Sequence, residues 1–421
     1  MGKSGGAVFL LLYLVLVVLV GVTVMLGELA LGRRSGKSAV STYRSLSKKY
    51  TWLGYAGIVC GFCIMCFYFV LGGIVLRYAV GYFLAIFGGS EFAWSGQGTG
   101  FFGYFLTDTN SMILFFVLYI LLNILVVSSG VQGGIEKFCN VGMPALFCLL
   151  VFIILYIACQ PGAAEGYKFM FNPDFSVFSN PDIGFGRVLK SAAGQMFFSL
   201  SIGLGCLVTY ASYFKNDTNI THTALQVAFI DTLVAVLAGL VIFPAVFSVG
   251  IEPTAGPSLV FVTLPAIFNT LPLSMVWSTI FFLLLVIAAL TSTISLHEVL
   301  TVYVQEEWRL SRRAAAWIVT GACIALGAAA SLSLGAWQWL QLGGKSFFDL
   351  LDFVTANIML PAGGFFICIF TGWVLDRRFM PAELTNHGAL RLHLWPLLGM
   401  LLRWVCPVVI LLIFLDNLGL F

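Results

Sequence analysis

The sequence predicts an all-α, polytopic membrane protein, and three observations carry that prediction. Of 421 residues, 60% are hydrophobic and only 9% are charged, and the mean hydropathy is +1.01. A soluble domain is about one-quarter charged, so this chain has too little charge to cover a water-facing surface of its size. Apolar segments of spanning length also recur from end to end, separated by polar or Gly/Pro-rich breaks. Lys and Arg, finally, concentrate in alternate connections. The net charge of +3 is no basic footprint and gives no reason to expect a nucleic-acid partner.

The first apolar run, about 7–31, follows Lys3 and imitates a signal peptide. It is too long for a signal core, lacks a small-residue cleavage site and ends at Gly32-Arg33-Arg34, so it reads as a span. Further spans are expected near 55–87, 112–129, 139–159, 187–212, 223–250, 274–304, 314–334, 347–375 and 394–416, ten in all. Leu259–Leu271 is apolar but too short to cross, and reads as a re-entrant or surface helix.

Orientation follows from the cations. If the first span runs inward, the inner connections hold Arg33, Arg34, Lys37, Arg44, Lys48, Lys49, Lys137, Lys215, Arg309, Arg312, Arg313, Arg377, Arg378 and Arg391. The outer side holds only Lys3, Lys168, Arg187, Lys190 and Lys345, while Arg77 and Arg403 fall within spans. Fourteen cations against five predict a multi-pass inner-membrane protein with its N-terminus outside.

The ten cysteines do not form a disulfide framework, since most lie in apolar runs, as Cys148, Cys159, Cys206, Cys323 and Cys368 do. Cys60, Cys63 and Cys66 share one helical face, yet no His or carboxylate accompanies them, so they read as small packing residues rather than metal ligands.

Several spans break the pattern of plain membrane helices. Gly194 to Gly205 contains Ser199, Ser201 and three glycines in mid-span. Such a stretch weakens a helix and frees backbone groups, as in the discontinuous helices that line transporter sites; close helix packing through small residues accounts for it equally well. Thr291-Ser292, just after Ala288, offers hard oxygens to a small cation, although hydroxyls bonding back to their own helix are the plainer reading. Asp231 is a carboxylate inside a span, where charge is costly and pairs or binds a cation. Glu28, Asp352 and the His297-Glu298 pair also lie within or near spans, and at least one of these carboxylates is expected to be a structural acceptor.

Other motifs carry nothing. Gly344-Lys345-Ser346 and Gly36-Lys37-Ser38 lack the preceding glycine of a phosphate loop, where Trp339 and Leu31 stand instead. Asn216-Asp217-Thr218 and Asn219-Ile220-Thr221 match the glycosylation pattern but fall on the inner side. No hydrolase triad or zinc spacing stands out, so the sequence does not point to an enzyme.

Taken in order, several strings resemble the neurotransmitter:sodium symporter family. Gly5 to Phe9 and Glu28-Leu29-Ala30-Leu31-Gly32-Arg33 resemble its second helix. Gly194 to Gly205 with Thr209-Tyr210-Ala211-Ser212-Tyr213 resembles its sixth, Phe261 to Phe268 its extracellular re-entrant loop, and Leu290-Thr291-Ser292 its eighth. The resemblance covers essentially the whole chain and implies a fold of two inverted five-helix repeats with a midplane site. On this reading residues 1–160 hold helices two to five of the first repeat, 187–375 the second repeat, and 394–416 an additional C-terminal helix. Helix one, with a Gly-Asn-x-Trp-Arg-Phe-Pro-Tyr-like segment, is expected before Gly5, where only Met1 to Ser4 stand. A start codon assigned too late and a real truncation would each explain that.

Carried over by position, the resemblance implies a first sodium site at Ser199 and Asp231 and a second at Ala288, Thr291 and Ser292. Ile64, Tyr68, Phe198, Ser199, Ser201, Leu204, Ser292 and Leu296 would line an amino-acid pocket, with Tyr68 on the substrate carboxylate and Phe198 as its outer cap. Asp352 matches the acidic partner of an outer gate, Glu306 that of an inner gate, and Glu28 a support for the unwound part of helix six. Because Asp231 supplies a negative charge beside the first sodium, the resemblance implies no requirement for chloride. The implied function is sodium-coupled import of amino acids by alternating access, with a transport-incompetent relic or an accessory or sensing membrane protein as the alternative.

Overall fold

The computed structural model describes residues 1–88, 98–180, 183–248, 259–269, 272–390 and 395–417. Among these, nine helices are long and apolar enough to cross a membrane. They are α1 (Ala7–Ser35), α2 (Lys48–Ile86), α3 (Thr109–Ser128), α4 (Gly133–Ala158), α7 (Ile220–Ser248), α9 (Ser274–Trp308), α10 (Arg312–Ser333), α11 (Phe347–Val374) and α12 (Trp395–Asn417). The expected tenth, near 187–212, is instead two pieces, α5 (Gly184–Ser199) and α6 (Cys206–Ala211), each too short to span alone. The apolar piece after α7 forms a short helical element, α8 (Leu259–Asn269); Leu271, the last residues of the expected 223–250 span and Arg391 lie outside the described residues. A two-residue hairpin, Gln341–Leu342 against Lys345–Ser346, is the one departure from all-helical structure among the described residues.

The ends of the helices follow from local chemistry. Ser346 Oγ accepts from Asp349 N–H at 3.1 Å, and Asn219 Oδ1 accepts from His222 N–H at 3.0 Å, so each caps a helix start. The glycosylation-like Asn219 is thus a capping residue. Asp108 caps α3 and takes the Ser111 hydroxyl at 2.6 Å, which, with the Ser111 and Asn110 N–H groups, holds its carboxyl below the usual range. Gly36 ends α1 in the left-handed region at φ 60°, where a side chain would be strained.

Helix α2 is the most deeply buried span and packs along α9, with α3, α10 and α11 around it. Its Gly73 lets the backbone of Phe116 on α3 approach to where a Cβ would sit only 2.9 Å away. Between α3, α9 and α10 lies a buried polar network: Tyr119 and Asn123 meet Thr293 at 3.0 and 2.9 Å, and Asn123 meets His297 at 2.9 Å. His297 also meets Thr320 at 3.3 Å. Outward faces stay apolar, with Leu125, Val141 and Phe229 each about two-thirds exposed, as lipid contact requires. All ten cysteines are free, and no group of three or more His, Cys, Asp or Glu gathers among the described residues.

Candidate functional site

The break between α5 and α6 is built from residues that cannot continue a helix comfortably. Ser201, Gly203 and Gly205 all have positive φ, at 53°, 90° and 72°. For Ser201 that conformation costs about 1–2 kcal/mol, strain of the kind that clusters at functional sites. The freed backbone groups find partners: Ser201 N–H and Ile202 N–H donate to the Phe198 and Phe197 carbonyls, and Gly203 N–H donates to Glu28 Oε1 at 2.7 Å. Glu28, fully buried on α1, thereby ties the unwound segment to a continuous helix.

The segment also needs its glycines for room. A Cβ on Gly203 would lie 2.6 Å from the Leu360 carbonyl of α11, and one on Gly363 would lie 2.6 Å from the Gly203 carbonyl. On the other side, a Cβ on Gly57 of α2 would meet the Leu204 carbonyl at 2.7 Å. The unwound chain is therefore held backbone-to-backbone between two spans. Gly203→Ala is expected to lower stability by about 1–3 kcal/mol through overpacking and strain. Gly184, at φ 61° with open space around it, supplies the comparison: Gly184→Ala bears the backbone strain alone. A smaller fall in melting temperature for Gly184→Ala separates the clash from the dihedral, and equal falls would refute it.

Beside the break, Ser199 donates its hydroxyl to Asp231 Oδ2 at 2.5 Å, bringing α5 and α7 together. Tyr13, in the second turn of α1, donates to the same oxygen at 3.4 Å. Sequence reasoning missed Tyr13; its signal was a phenol inside an otherwise unbroken apolar run, where the hydroxyl needs a partner. The cluster offers one carboxylate and two hydroxyls, hard oxygens suited to a small alkali cation and lacking the nitrogen and sulfur that transition metals favour.

The second expected group lies on α9. Thr291 Oγ1 and Ser292 Oγ both donate to the Ala288 carbonyl, at 2.9 and 3.2 Å, so three oxygens gather on one turn. These are the self-bonds that hydroxyls make within a helix. Ser292 is exposed within the bundle, and the Tyr68 hydroxyl faces it from α2. Ile64, Leu204 and Leu296 are buried, while Tyr68, Phe198, Ser199 and Ser201 are half-buried. No hydrogen bond joins the Asp231 cluster to the Thr291 cluster among the described residues.

The expected gate residues stand apart from both. Asp352 is exposed and makes no ion pair among the described residues. Glu306 accepts Ser38 N–H with both carboxylate oxygens at 3.1 Å, and the ion pair falls to its neighbour: Arg44 grips Glu307 at 2.9 and 3.0 Å. The deeper pairs on this side are Arg312 with Glu298, which also accepts the Tyr213 hydroxyl at 2.8 Å, and Arg33 with Glu383 at 2.9 Å.

Comparison with known proteins gives one answer. The sequence profile of the sodium:neurotransmitter symporter family matches residues 1–101 and 105–421. A sodium-dependent transporter of Haemophilus influenzae is 33% identical over 427 residues, covering 99% of this chain and 92% of that protein. The sodium-dependent transporter YhdH of Bacillus subtilis is 32% identical, covering 99% and 91%. Among solved structures, MhsT in complex with L-phenylalanine superposes with a TM-score of 0.89 at 36% identity, over 99% of this chain and 92% of that one. The chain belongs to the sodium:neurotransmitter symporter family: it is a multi-pass, sodium-dependent membrane transporter with the fold of MhsT, and not an enzyme.

Proposed function

We propose that this transporter imports amino acids across the inner membrane by sodium symport, alternating access about the unwound segment between α5 and α6. The observation that carries the reading is the Ser199–Asp231 contact at 2.5 Å directly beside that segment, an anionic oxygen held in an apolar span where a cation would compensate it. Asp231, Ser199 and the neighbouring Tyr13 hydroxyl form the first sodium site, and Ala288, Thr291 and Ser292 the second. An apolar-walled pocket from Ile64, Tyr68, Phe198, Ser201, Leu204 and Leu296 takes the substrate side chain and its charged ends. L-phenylalanine bound to MhsT supports a hydrophobic or aromatic amino acid as the cargo. Glu28 steadies the unwound segment, and Asp352 and Glu306 serve the outer and inner gates. Residues 1–160 and 187–375 are read as the two halves of the inverted repeat.

The fixed charge of Asp231 makes a second anion unnecessary, so the cycle is chloride-independent. In proteoliposomes, an inward sodium gradient is expected to drive accumulation of labelled L-phenylalanine, and choline in place of sodium is expected to stop it. Replacing chloride with gluconate should leave the initial rate unchanged. Uptake that ignores the sodium gradient would refute symport, and uptake that collapses without chloride would refute the role given to Asp231.

A further inference from the structure

Two arginines on the basic side of the protein share a cavity of about 400 Å³ between the connection that follows α11 and the first turns of α12, lined by Arg377, Trp395, Gly399, Arg403 and Trp404. Arg403 is the unusual member. It stands eight residues into α12, about 12 Å along the helix from its start, where a charged side chain must find a partner or reach back toward the interface. Its Nε donates to the Gly372 carbonyl at 2.9 Å, and no other side-chain bond holds its guanidinium among the described residues. Its position is fixed further by Trp373, whose Nε1 donates to the Arg403 carbonyl at 3.0 Å and whose ring packs edge-on to Trp404 at 4.7 Å.

The nearby carboxylate does not neutralise this pair. Asp376 Oδ1 accepts Arg378 N–H at 2.7 Å, and neither Arg377 nor Arg403 enters an ion pair among the described residues. Two guanidiniums therefore face one cavity with anion-binding capacity to spare, flanked by tryptophans of the kind that settle at the headgroup level. Below the cavity, Met400, Trp404, Val408, Leu411 and Leu412 are all exposed. Their spacing of four, four, three and one residues places them along one face of α12, an apolar track leading from the arginines toward the bilayer centre.

We propose that this cavity seats the phosphate of an anionic phospholipid, with its acyl chains lying along the exposed face of α12. A guanidinium pairs with phosphate through two parallel hydrogen bonds, the loop-charge bias assigns this end to the cytoplasmic leaflet, and the apolar track explains why the ligand is a lipid rather than a free anion.

The test is native mass spectrometry of the full chain in detergent, titrated with phosphatidylglycerol or phosphatidylethanolamine and, in a separate arm, with millimolar inorganic phosphate as competitor. Phosphatidylglycerol is expected to be retained preferentially. Arg377→Gln, at an exposed residue whose loss leaves the fold intact, should weaken that retention about fivefold, and the double variant Arg377→Gln/Arg403→Gln about 25-fold. Arg313→Gln, an exposed cation elsewhere on the same side, should leave it unchanged. Equal retention of the two lipids, an equal loss in Arg313→Gln, or displacement of phosphatidylglycerol by inorganic phosphate would each overturn the proposal. The first would mean that headgroup charge is not read there, the second would reduce it to diffuse charge, and the third would make the cavity a site for a soluble anion.

Discussion

Asp231→Ala is expected to remove the sodium dependence of uptake while leaving the protein folded. Asp231 is half-buried and takes hydroxyls from Ser199 at 2.5 Å and Tyr13 at 3.4 Å. It is the only formal charge in that cluster, so a sodium ion bound there draws its electrostatic complement from this one group. Truncating one member of a desolvated, hydrogen-bonded charge pair costs about 2–4 kcal/mol, or roughly 30- to 700-fold in sodium affinity. Asp231→Asn separates charge from geometry, because its amide oxygen still accepts from Ser199 while the charge is gone; it should lose most of the same affinity. Thr291→Ala and Ser199→Ala each remove one neutral oxygen and should cost less, about 1 kcal/mol apiece. The measurement is initial uptake of L-phenylalanine against sodium concentration, beside a melting curve for each variant. If Asp231→Ala keeps the wild-type sodium curve and its melting temperature, the first sodium site lies elsewhere.

That prediction was within reach of the sequence because its ingredients are local. A spanning helix must be apolar for about 20 residues, and so most ends of the observed spans fall within about four residues of the expected ones, as 274–304 extends to Ser274–Trp308. Lys48–Ile86 and Gly133–Ala158, by contrast, start about seven and six residues earlier than expected, and 187–212 is broken in two. A carboxylate in such a run announces itself, as Asp231 did, and glycines and serines in mid-span mark a break, as at 194–205. Partners distant in sequence were not legible. Tyr13 meets Asp231 across 218 residues, and a phenol in an apolar run names no acceptor. His297 was visible as a polar residue in α9, but Asn123 and Thr320, which satisfy it, come from two other helices. Glu306 was named from its position in the family alone, and nothing in two adjacent acids at a helix end foretold that Glu306 would take Ser38 N–H while Glu307 takes Arg44. Arg33 counted as a loop charge in the topology, yet its guanidinium is almost completely enclosed.

That enclosure makes Glu383→Ala the most destabilising change to expect on the inner side. Arg33 reaches Glu383 Oε2 through Nε at 3.1 Å and Nη2 at 2.9 Å, and Nη2 also meets the Glu383 carbonyl. Its other terminal nitrogen donates to Asn386 Oδ1 at 2.6 Å and to the Thr218 carbonyl at 2.8 Å. The pair thus fastens the end of α1 to the short helix Phe379–Leu384 and to the connection after α6. With both side chains no more than 4% exposed, removing the carboxylate strands a buried cation and costs about 3–5 kcal/mol. The double variant Arg33→Met/Glu383→Leu removes both charges and should recover much of that loss, since replacing a whole buried pair with apolar groups is often close to neutral. Arg34, only 3.7 Å from the same carboxylate but half-exposed, should matter little: Arg34→Ala is expected to change stability by about 0.5 kcal/mol or less. Thermal unfolding of the four proteins in one detergent decides the matter. A double variant as unstable as Glu383→Ala would mean that the helix needs the contacts themselves rather than relief from a stranded charge.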